Sequence, residues 1–251
     1  CMHPCCQGDA VEEKMVEKNI KVSTKAEDTV SIPSHEQTKS LDLPVFYGMK
    51  AGMTRIFDEN GNHIPVTVIK LIPNIVSQVK TVAKDGYEAY QIAYYEKKEK
   101  LISAPKKGHL KKANIPNSFY KFAEIKTVNV DDKNIGCEIS LETFKPDLYV
   151  DATSNSKGKG FQGVVKKFHF AGGPATHGST FHRAPGSIGN RATPARVYKN
   201  KKLPGHLGCE KKTMQNLKVV EVNKEKGYML IRGSIPGGKN SFVKISKSVK
   251  K

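Results

Sequence analysis

The feature that most constrains this chain is a run of 58 residues, 152–209, without a single Asp or Glu, although the whole chain has 24 acidic residues. The run holds ten Lys and Arg, four His, ten Gly and four Pro. A segment so basic and so poor in aliphatic residues buries too little apolar surface to offset the entropy of ordering it. We therefore expect it to be ordered by a densely negative partner, and a polyphosphate backbone meets that requirement best.

The net charge of +18 over 251 residues indicates the kind of partner rather than the fold. Nucleic acid is the first candidate and an anionic membrane surface the second. No apolar run approaches the roughly 18 residues that span a bilayer, and no basic amphipathic helix stands out, so a membrane role is not expected. The five Cys form no regular framework, which predicts free thiols.

Residues 1–43 differ from the rest because their five Lys and eight acids give a net charge of −3, which leaves +21 for residues 44–251. This segment is polar, has no Arg and lacks the apolar core of a secretory signal, so we expect a mostly disordered acidic extension that does not bind nucleic acid. Cys1, His3, Cys5 and Cys6 carry metal-binding atoms, but their spacing matches no standard zinc knuckle. A mobile terminus is favoured over a metal site.

Alternating apolar residues from Val45 onward predict short β-strands at regular spacing. Asn60-Gly61 between two such runs indicates a hairpin, and Ser103 followed by Pro105 predicts a short basic helix with a Ser103 cap. The predicted strands cover residues 45–49, 53–57, 64–71, 75–82, 87–95, 124–130, 148–154, 217–223, 228–235 and 242–245. This pattern predicts a mainly β fold, a closed or nearly closed barrel with the basic stretch inserted between strands.

The predicted domain organisation follows from these observations. Residues 1–43 form the acidic extension, 44–156 with 214–247 the β-barrel body, 157–213 an extended loop that binds RNA, and 248–251 a basic tail. Because both ends of the inserted loop are held by a rigid body, its tip can be aimed.

The sequence GKGFQG at residues 158–163 matches the GxGxxG pattern of dinucleotide sites. Such a site requires a preceding strand, a following helix and an acidic residue about twenty positions later. Here a strand-like VVKKFHF follows, and Glu210 is the next acid. The glycines are better explained by a backbone that turns freely and approaches phosphates closely.

His169, His177, His182, His206 and Cys209 present a second alternative, as metal ligands or catalytic bases. Ligating or catalytic His usually has a carboxylate or carbonyl orienter, and this run contains no carboxylate. Contacts to bases, phosphates or ribose hydroxyls suit these His side chains better. We expect no metal, no cofactor and no small-molecule substrate.

The basic residues invite a plainer interpretation, a solvated charged face, but such faces normally mix both signs of charge. Pro185 and Pro194 stiffen a loop in which Gly186 and Gly189 permit tight turns. This composition favours an ordered loop clamped by RNA. The predicted RNA-binding residues are Lys157, Lys159, Lys166, Lys167, His169, His177, His182, Arg183, Arg191, Arg196, Lys199, Lys201, Lys202, Lys211 and Lys212.

Several blocks in this order make the sequence similar to the family of universal large-subunit ribosomal protein three, in its bacterial or organellar form. The similarity covers about residues 45–247. The blocks are GMKAGMTRIFDENGNHIPVTVI (48–69), SKGKGFQGVVKKFHF (156–170), ATHGSTFHRAPGSIG (175–189), TPARVYKNKKLPGHLG (193–208) and TMQNLKVVEVN (213–223).

The resemblance implies a β-barrel of the type shared among translation proteins, with a long extension that threads into large-subunit rRNA toward the peptidyl transferase centre. It also implies early rRNA binding during assembly, neighbouring large-subunit ribosomal proteins as partners, no catalytic role, and a place in a bacterial cytoplasmic or an organellar ribosome. By position, Ser187, Gly189, Asn190 and Arg191 would lie at the loop tip nearest that centre.

Two departures from the family pattern stand out. Many bacterial members carry a methylated Gln in the span where this chain has Asn190-Arg191-Ala192, which puts that modification in doubt. Relatives often have Trp where this chain has Phe168, and the chain contains no Trp. Stacking is retained at Phe168, while the indole hydrogen-bond donor is lost.

We therefore predict a non-enzymatic rRNA-binding structural protein. Two rivals remain: a nucleotide- or metal-using enzyme built on GxGxxG and the His set, and a free polyanion binder without RNA preference. A stoichiometric nucleotide or metal in purified protein would favour the first. Equal affinity for rRNA, duplex DNA and heparin would favour the second.

The composition also predicts how the free protein behaves. Without RNA, residues 157–213 should be cut by trypsin well before the barrel, because their ordering is not offset by buried apolar surface. Limited proteolysis with mass spectrometry, with and without large-subunit rRNA, measures this. A stretch that resists trypsin in the free protein would contradict the prediction.

Overall fold

Two β-sheets and a basic extension make up the computed structural model, which describes residues 40–115, 118–127 and 130–251. The acidic segment, with Cys1, His3, Cys5 and Cys6, lies almost wholly outside the described residues. The strands are β1 Ser40–Asp42, β2 Val45–Phe57, β3 His63–Leu71, β4 Asn74–Lys80, β5 Ala89–Glu96, β6 Phe119–Lys126, β7 Glu138–Ser140, β8 Tyr149–Asn155, β9 Phe161–Gln162, β10 Gly205–His206, β11 Lys211–Asn223, β12 Tyr228–Arg232 and β13 Phe242–Lys247. The α-helices are α1 Val82–Asp85, α2 Ala104–Lys112 and α3 Val164–Phe168, with 3-10 turns at Glu99–Leu101 and Asp132–Asn134.

The predicted barrel is confirmed. Six antiparallel strands close it in the order β11-β12-β3-β2-β13-β8. Strand residues two apart point into it, so that Val150 with Ala152 and Val243 with Ile245 are fully buried. The hairpin predicted at Asn60-Gly61 is also confirmed, and Gly61 there has φ +75°.

Strands β4, β5 and β6, which we expected to continue the barrel, lie in a second sheet instead. That sheet has the order β1-β7-β4-β5-β6 and is antiparallel except for the β1–β7 pair. One face packs on the barrel, where the rings of Tyr47 and Tyr94 stack with centroids 4.5 Å apart. The other face packs on α2 through Leu110 and Phe119.

Helix α2 confirms the predicted short helix after Ser103. The Ser103 side chain makes no capping hydrogen bond, however, and Pro105 in the first turn favours the helix start instead. The strand-like interpretation of residues 164–170 is wrong, since residues 164–168 form α3 and the two that follow are in no strand. The β9–β10 pair ends at Gln162, and a helix satisfies its own backbone groups, here through Lys167 N–H to the Gly163 carbonyl (3.0 Å).

A buried lysine ties the barrel to the loop that precedes β13. Lys50 on β2 is 8% exposed and donates to the carbonyls of Ile235 (2.6 Å) and Gly237 (3.3 Å). Burial lowers the pKa of Lys50, and the nearby charge of Lys157 lowers it further. The loop that Lys50 holds also lies beside the start of the basic stretch, because a Cβ added at Gly238 would be 3.9 Å from the Lys157 Cε.

The barrel core predicts a clear contrast between two methionines. Met229 is fully buried in the barrel, while Met53 is 52% exposed. Met229→Ala should lower the free energy of unfolding by about 2–5 kcal/mol through lost burial and the cavity left behind. Met53→Ala should change it by less than about 0.5 kcal/mol. Urea unfolding of both variants followed by circular dichroism measures this, and equal losses would show that Met229 does not pack as described.

Candidate nucleic-acid interface

Residues 156–210, called the extension below, leave the barrel between two strands that are paired with each other. Lys211 on β11 is opposite Asn155 on β8, and Lys212 is opposite Ser154. The pairing continues outward, because Ser156 N–H donates to the Glu210 carbonyl and Lys159 N–H to the Leu207 carbonyl, both at 2.9 Å. The extension therefore begins as a two-stranded stem anchored on both sides.

Beyond the short β9–β10 pair, the outgoing arm forms α3, which ends at His169 in the left-handed conformation (φ +60°). Val164 on this helix is the only buried residue of the extension, every residue of which is described. Residues 170–204 contain neither strand nor helix. The extension thus has almost no core of its own.

Local hydrogen bonds shape the irregular part. Gly173 N–H donates to the His182 carbonyl (2.9 Å), and the His182 ring Nδ1 lies 2.9 Å from the Pro174 carbonyl. A Cβ at Gly173 would lie 2.1 Å from the Phe181 carbonyl oxygen, so this position requires glycine. The contact with the Pro174 carbonyl holds the orientation of the His182 ring.

The outgoing and returning arms meet at Phe168. The Lys167 Nζ lies 5.1 Å and the Lys202 Nζ 5.9 Å from the centroid of the Phe168 ring, and Phe170 is 6.4 Å away. The Phe168 ring therefore lies within cation–π distance of two lysines, one on each arm. Phe168 is half-buried, so part of its ring is exposed, and it has no hydrogen-bonding group.

All of the predicted rRNA-binding side chains lie on the surface. Lys167 is half-buried, and each of the other fourteen is exposed. The predicted tip residues Ser187, Gly189, Asn190 and Arg191 are exposed as well, and the Ser187 hydroxyl donates to the Gly189 carbonyl (3.1 Å). The structure therefore presents the predicted residues to solvent along both arms, rather than gathering them in one pocket.

The extension and the body differ in how many of their charges form ion pairs. Among the described residues there are five ion pairs, and four of them join body lysines to body acids. The fifth joins Glu210 to Lys212 at 3.0 Å, at the foot of the extension, and the Lys212 hydrogen bond and charge lower the pKa of Glu210. In the described chain, no basic residue between 157 and 202 has an ion-pair partner.

Two exposed aromatic side chains, Phe161 and Tyr198, belong with this surface although the sequence reasoning did not single them out. Phe161 is 76% and Tyr198 58% exposed, and Tyr198 lines a shallow concavity together with Arg196, Val197 and Lys199. Aromatic residues interleaved with lysines in an acid-free run suit nucleic-acid binding and are the pattern that would have identified them.

The enzyme alternatives find no support in the described residues. GKGFQG does follow a strand and precede a helix, but that strand belongs to a closed antiparallel barrel and the helix has five residues, so no βαβ unit is formed. No three His, Cys, Asp or Glu side chains in the described ranges are grouped to hold a metal. The described cysteines, Cys137 and Cys209, are free thiols. No described helix is long and apolar enough to span a bilayer.

Comparison with known proteins decides the family. Residues 123–228 match the family model described as ribosomal protein L3. The chain is 49% identical over 203 residues to the large ribosomal subunit protein uL3 of Oceanobacillus iheyensis, which covers 81% of the chain and 96% of the relative. It is 50% identical over 204 residues to uL3 of Streptococcus agalactiae, with the same coverage. The chain belongs to the ribosomal protein L3 family. The resemblance inferred from the sequence blocks is confirmed.

The stem of this L3-family chain depends on Gly208, which has φ +79° and whose added Cβ would lie 2.2 Å from the Lys157 carbonyl oxygen. We expect Gly208→Ala to open the stem, because left-handed backbone alone costs an Ala about 1–2 kcal/mol. Hydrogen exchange at the Lys159 and Leu207 amides should accelerate about tenfold or more. The control is Gly158→Ala, whose Cβ would make an ordinary 3.6 Å contact with Cys209. Unchanged exchange in Gly208→Ala would contradict the stem geometry.

Proposed function

We propose that this protein is a structural, non-enzymatic constituent of the large ribosomal subunit and binds large-subunit rRNA directly through the extension. The observation that carries the proposal is the row of ten basic residues between 157 and 202 that are exposed or half-buried and have no ion-pair partner among the described residues. Relatives at about half identity are named large ribosomal subunit protein uL3. The family and the charge pattern support the same function.

The physical role of the extension follows from its charge. Like charges held along one segment repel each other until counterions or phosphates neutralise them. An RNA backbone supplies phosphates at closely spaced positions and releases its own counterions on binding. Basic side chains from both arms then allow RNA segments to pack close to each other, which is how the protein supports early assembly of the subunit.

The barrel fixes the position from which the basic extension projects. Because the stem continues the paired strands β8 and β11, the irregular part is held at a fixed origin on a rigid body. We place the tip residues Ser187, Gly189, Asn190 and Arg191 toward the peptidyl transferase centre. Their small or flexible side chains and the exposed backbone allow close approach to RNA. The remaining outer surface of the body is available to neighbouring large-subunit proteins.

The salt dependence of RNA binding tests this proposal. Lys199→Gln, Lys201→Gln and Lys202→Gln together remove three exposed charges from the returning arm. If these lysines contact phosphates, the slope of log K against log salt concentration should become shallower by about 2–3 for a large-subunit rRNA transcript. Filter binding at several KCl concentrations measures the slope.

The matched control removes three exposed lysines from the body, Lys98, Lys100 and Lys111. It has the same net charge as the extension variant and should keep a slope close to that of the parent protein. Equal slopes for the two variants would show that overall charge, rather than the extension, drives binding. Loss of the preference for rRNA over duplex DNA in the extension variant alone would add direct support.

A further inference from the structure

A cleft of about 400 Å³ lies where the outer face of the barrel meets the second sheet, and the extension does not form it. Its floor is aromatic: Tyr47 and Tyr94 stack, and the Phe242 ring meets Tyr94 edge-on with centroids 5.8 Å apart. Three lysines, Lys121, Lys211 and Lys244, line it. Its volume lies in the range of about 300–1,000 Å³ usual for ligand sites.

The strand register explains why distant lysines converge here. Lys244 on β13 is opposite Tyr47 on β2 and Thr153 on β8, and directly opposed residues share one face of a sheet. Lys211 lies on the same face because Thr213, two residues on, is opposite Thr153. Lys121 comes from β6 of the second sheet, and its Nζ lies 4.4 Å from the centroid of the Phe242 ring.

Among the described residues, no acidic side chain balances the positive charge of the cleft. None of the described residues that line it is Asp or Glu, and none of the three lysines belongs to the five ion pairs of the described chain. Burial lowers the pKa of Lys244, with the charge of Lys211 as the second cause. Burial raises the pKa of Tyr47 to about 12, and the nearby Tyr94 contributes to this rise. The Tyr47 hydroxyl is therefore neutral and supplies no compensating charge.

The position of the cleft beside the stem indicates which kind of anion binds there. Ser154, Asn155 and Lys211 line the cleft, and the stem of the extension starts at these same residues. A polyanionic strand that follows the returning arm therefore passes the mouth of the cleft. An RNA backbone is continuous with the proposed binding surface, whereas a separate acidic peptide would need a path of its own.

We propose that this cleft binds a backbone phosphate of large-subunit rRNA, as a contact on the body that is separate from the extension. The inference rests on the proposed function, because it takes the RNA to be the one bound by the extension. Lys121, Lys211 and Lys244 supply the charge, and because Lys121 and Lys244 are half-buried, water screens their attraction to a phosphate less than it would for exposed lysines.

The test uses the full-length protein with Lys121→Gln and Lys244→Gln combined, which leaves every charge of the extension in place. Affinity for the large-subunit rRNA transcript at about 0.1 M KCl should fall about fivefold to tenfold, and the salt slope should become shallower by about 1. The control, Lys70→Gln with Lys84→Gln, removes two exposed lysines that lie outside the cleft and should stay within twofold of the parent protein. Equal effects of the two variants would overturn the proposal.

A second measurement needs no variant. Acetylation of lysines by an amine-reactive ester, read by mass spectrometry, should be suppressed at Lys121 and Lys244 by the rRNA transcript. Inorganic phosphate at the same phosphate concentration should protect them little, because it lacks the contacts of the continuous strand. Protection by inorganic phosphate without protection by RNA would show a generic anion site and overturn the assignment to RNA.

The two proposals fail separately. If the Lys199/Lys201/Lys202 variant binds like the parent protein while the cleft variant is weakened, the extension is not the RNA contact, but the cleft is. If the extension variant is weakened and the cleft variant binds like its control, the cleft proposal is wrong and the proposed function stands. Urea midpoints for each variant show that the fold is retained.

Discussion

The hydrogen bonding between β8 and β11 is the constraint on which the placement of the extension depends. These neighbouring barrel strands carry the two arms, and their register continues into the stem through the Ser156–Glu210 and Lys159–Leu207 backbone contacts. A segment with one buried residue cannot position itself by packing. Instead, the closed barrel, whose strands have no free edge, fixes both ends of the extension.

The body and the extension also differ in how their positive charges are paired. On the body, lysines such as Lys80 and Lys218 pair with Glu124 and Asp147, so part of the positive charge is neutralised within the fold. On the extension, the described basic residues from 157 to 202 have no ion-pair partner. Two of them, Lys167 and Lys202, lie near the Phe168 ring and come from opposite arms. A chain that leaves its charges unpaired in this way is suited to a partner that brings its own negative charge. Membership of the ribosomal protein L3 family agrees with this arrangement.

The second sheet gives the body a surface that the barrel alone would lack. It packs on the barrel through Tyr47 and Tyr94, and the seam between the two sheets leaves the lysine-lined cleft at the foot of the extension. Lys50 holds the neighbouring loop by its two hydrogen bonds to buried carbonyls. The foot of the extension is therefore the place where the barrel, the second sheet and the charged segment come together.

The sequence alone determined the local and compositional features: the Asn60-Gly61 hairpin, the alternating strands, the short helix after Ser103 and the acid-free run 152–209. Each depends on neighbouring residues or on charge counts, and so can be recognised without the fold. Only the tertiary structure decided that β4, β5 and β6 leave the barrel for a second sheet, since alternation shows that a strand has a buried face but not which strand it pairs with. It also made residues 164–168 a helix, because no partner strand lies beside them, and it brought Lys121 and Lys244 together, because register joins residues far apart in the chain.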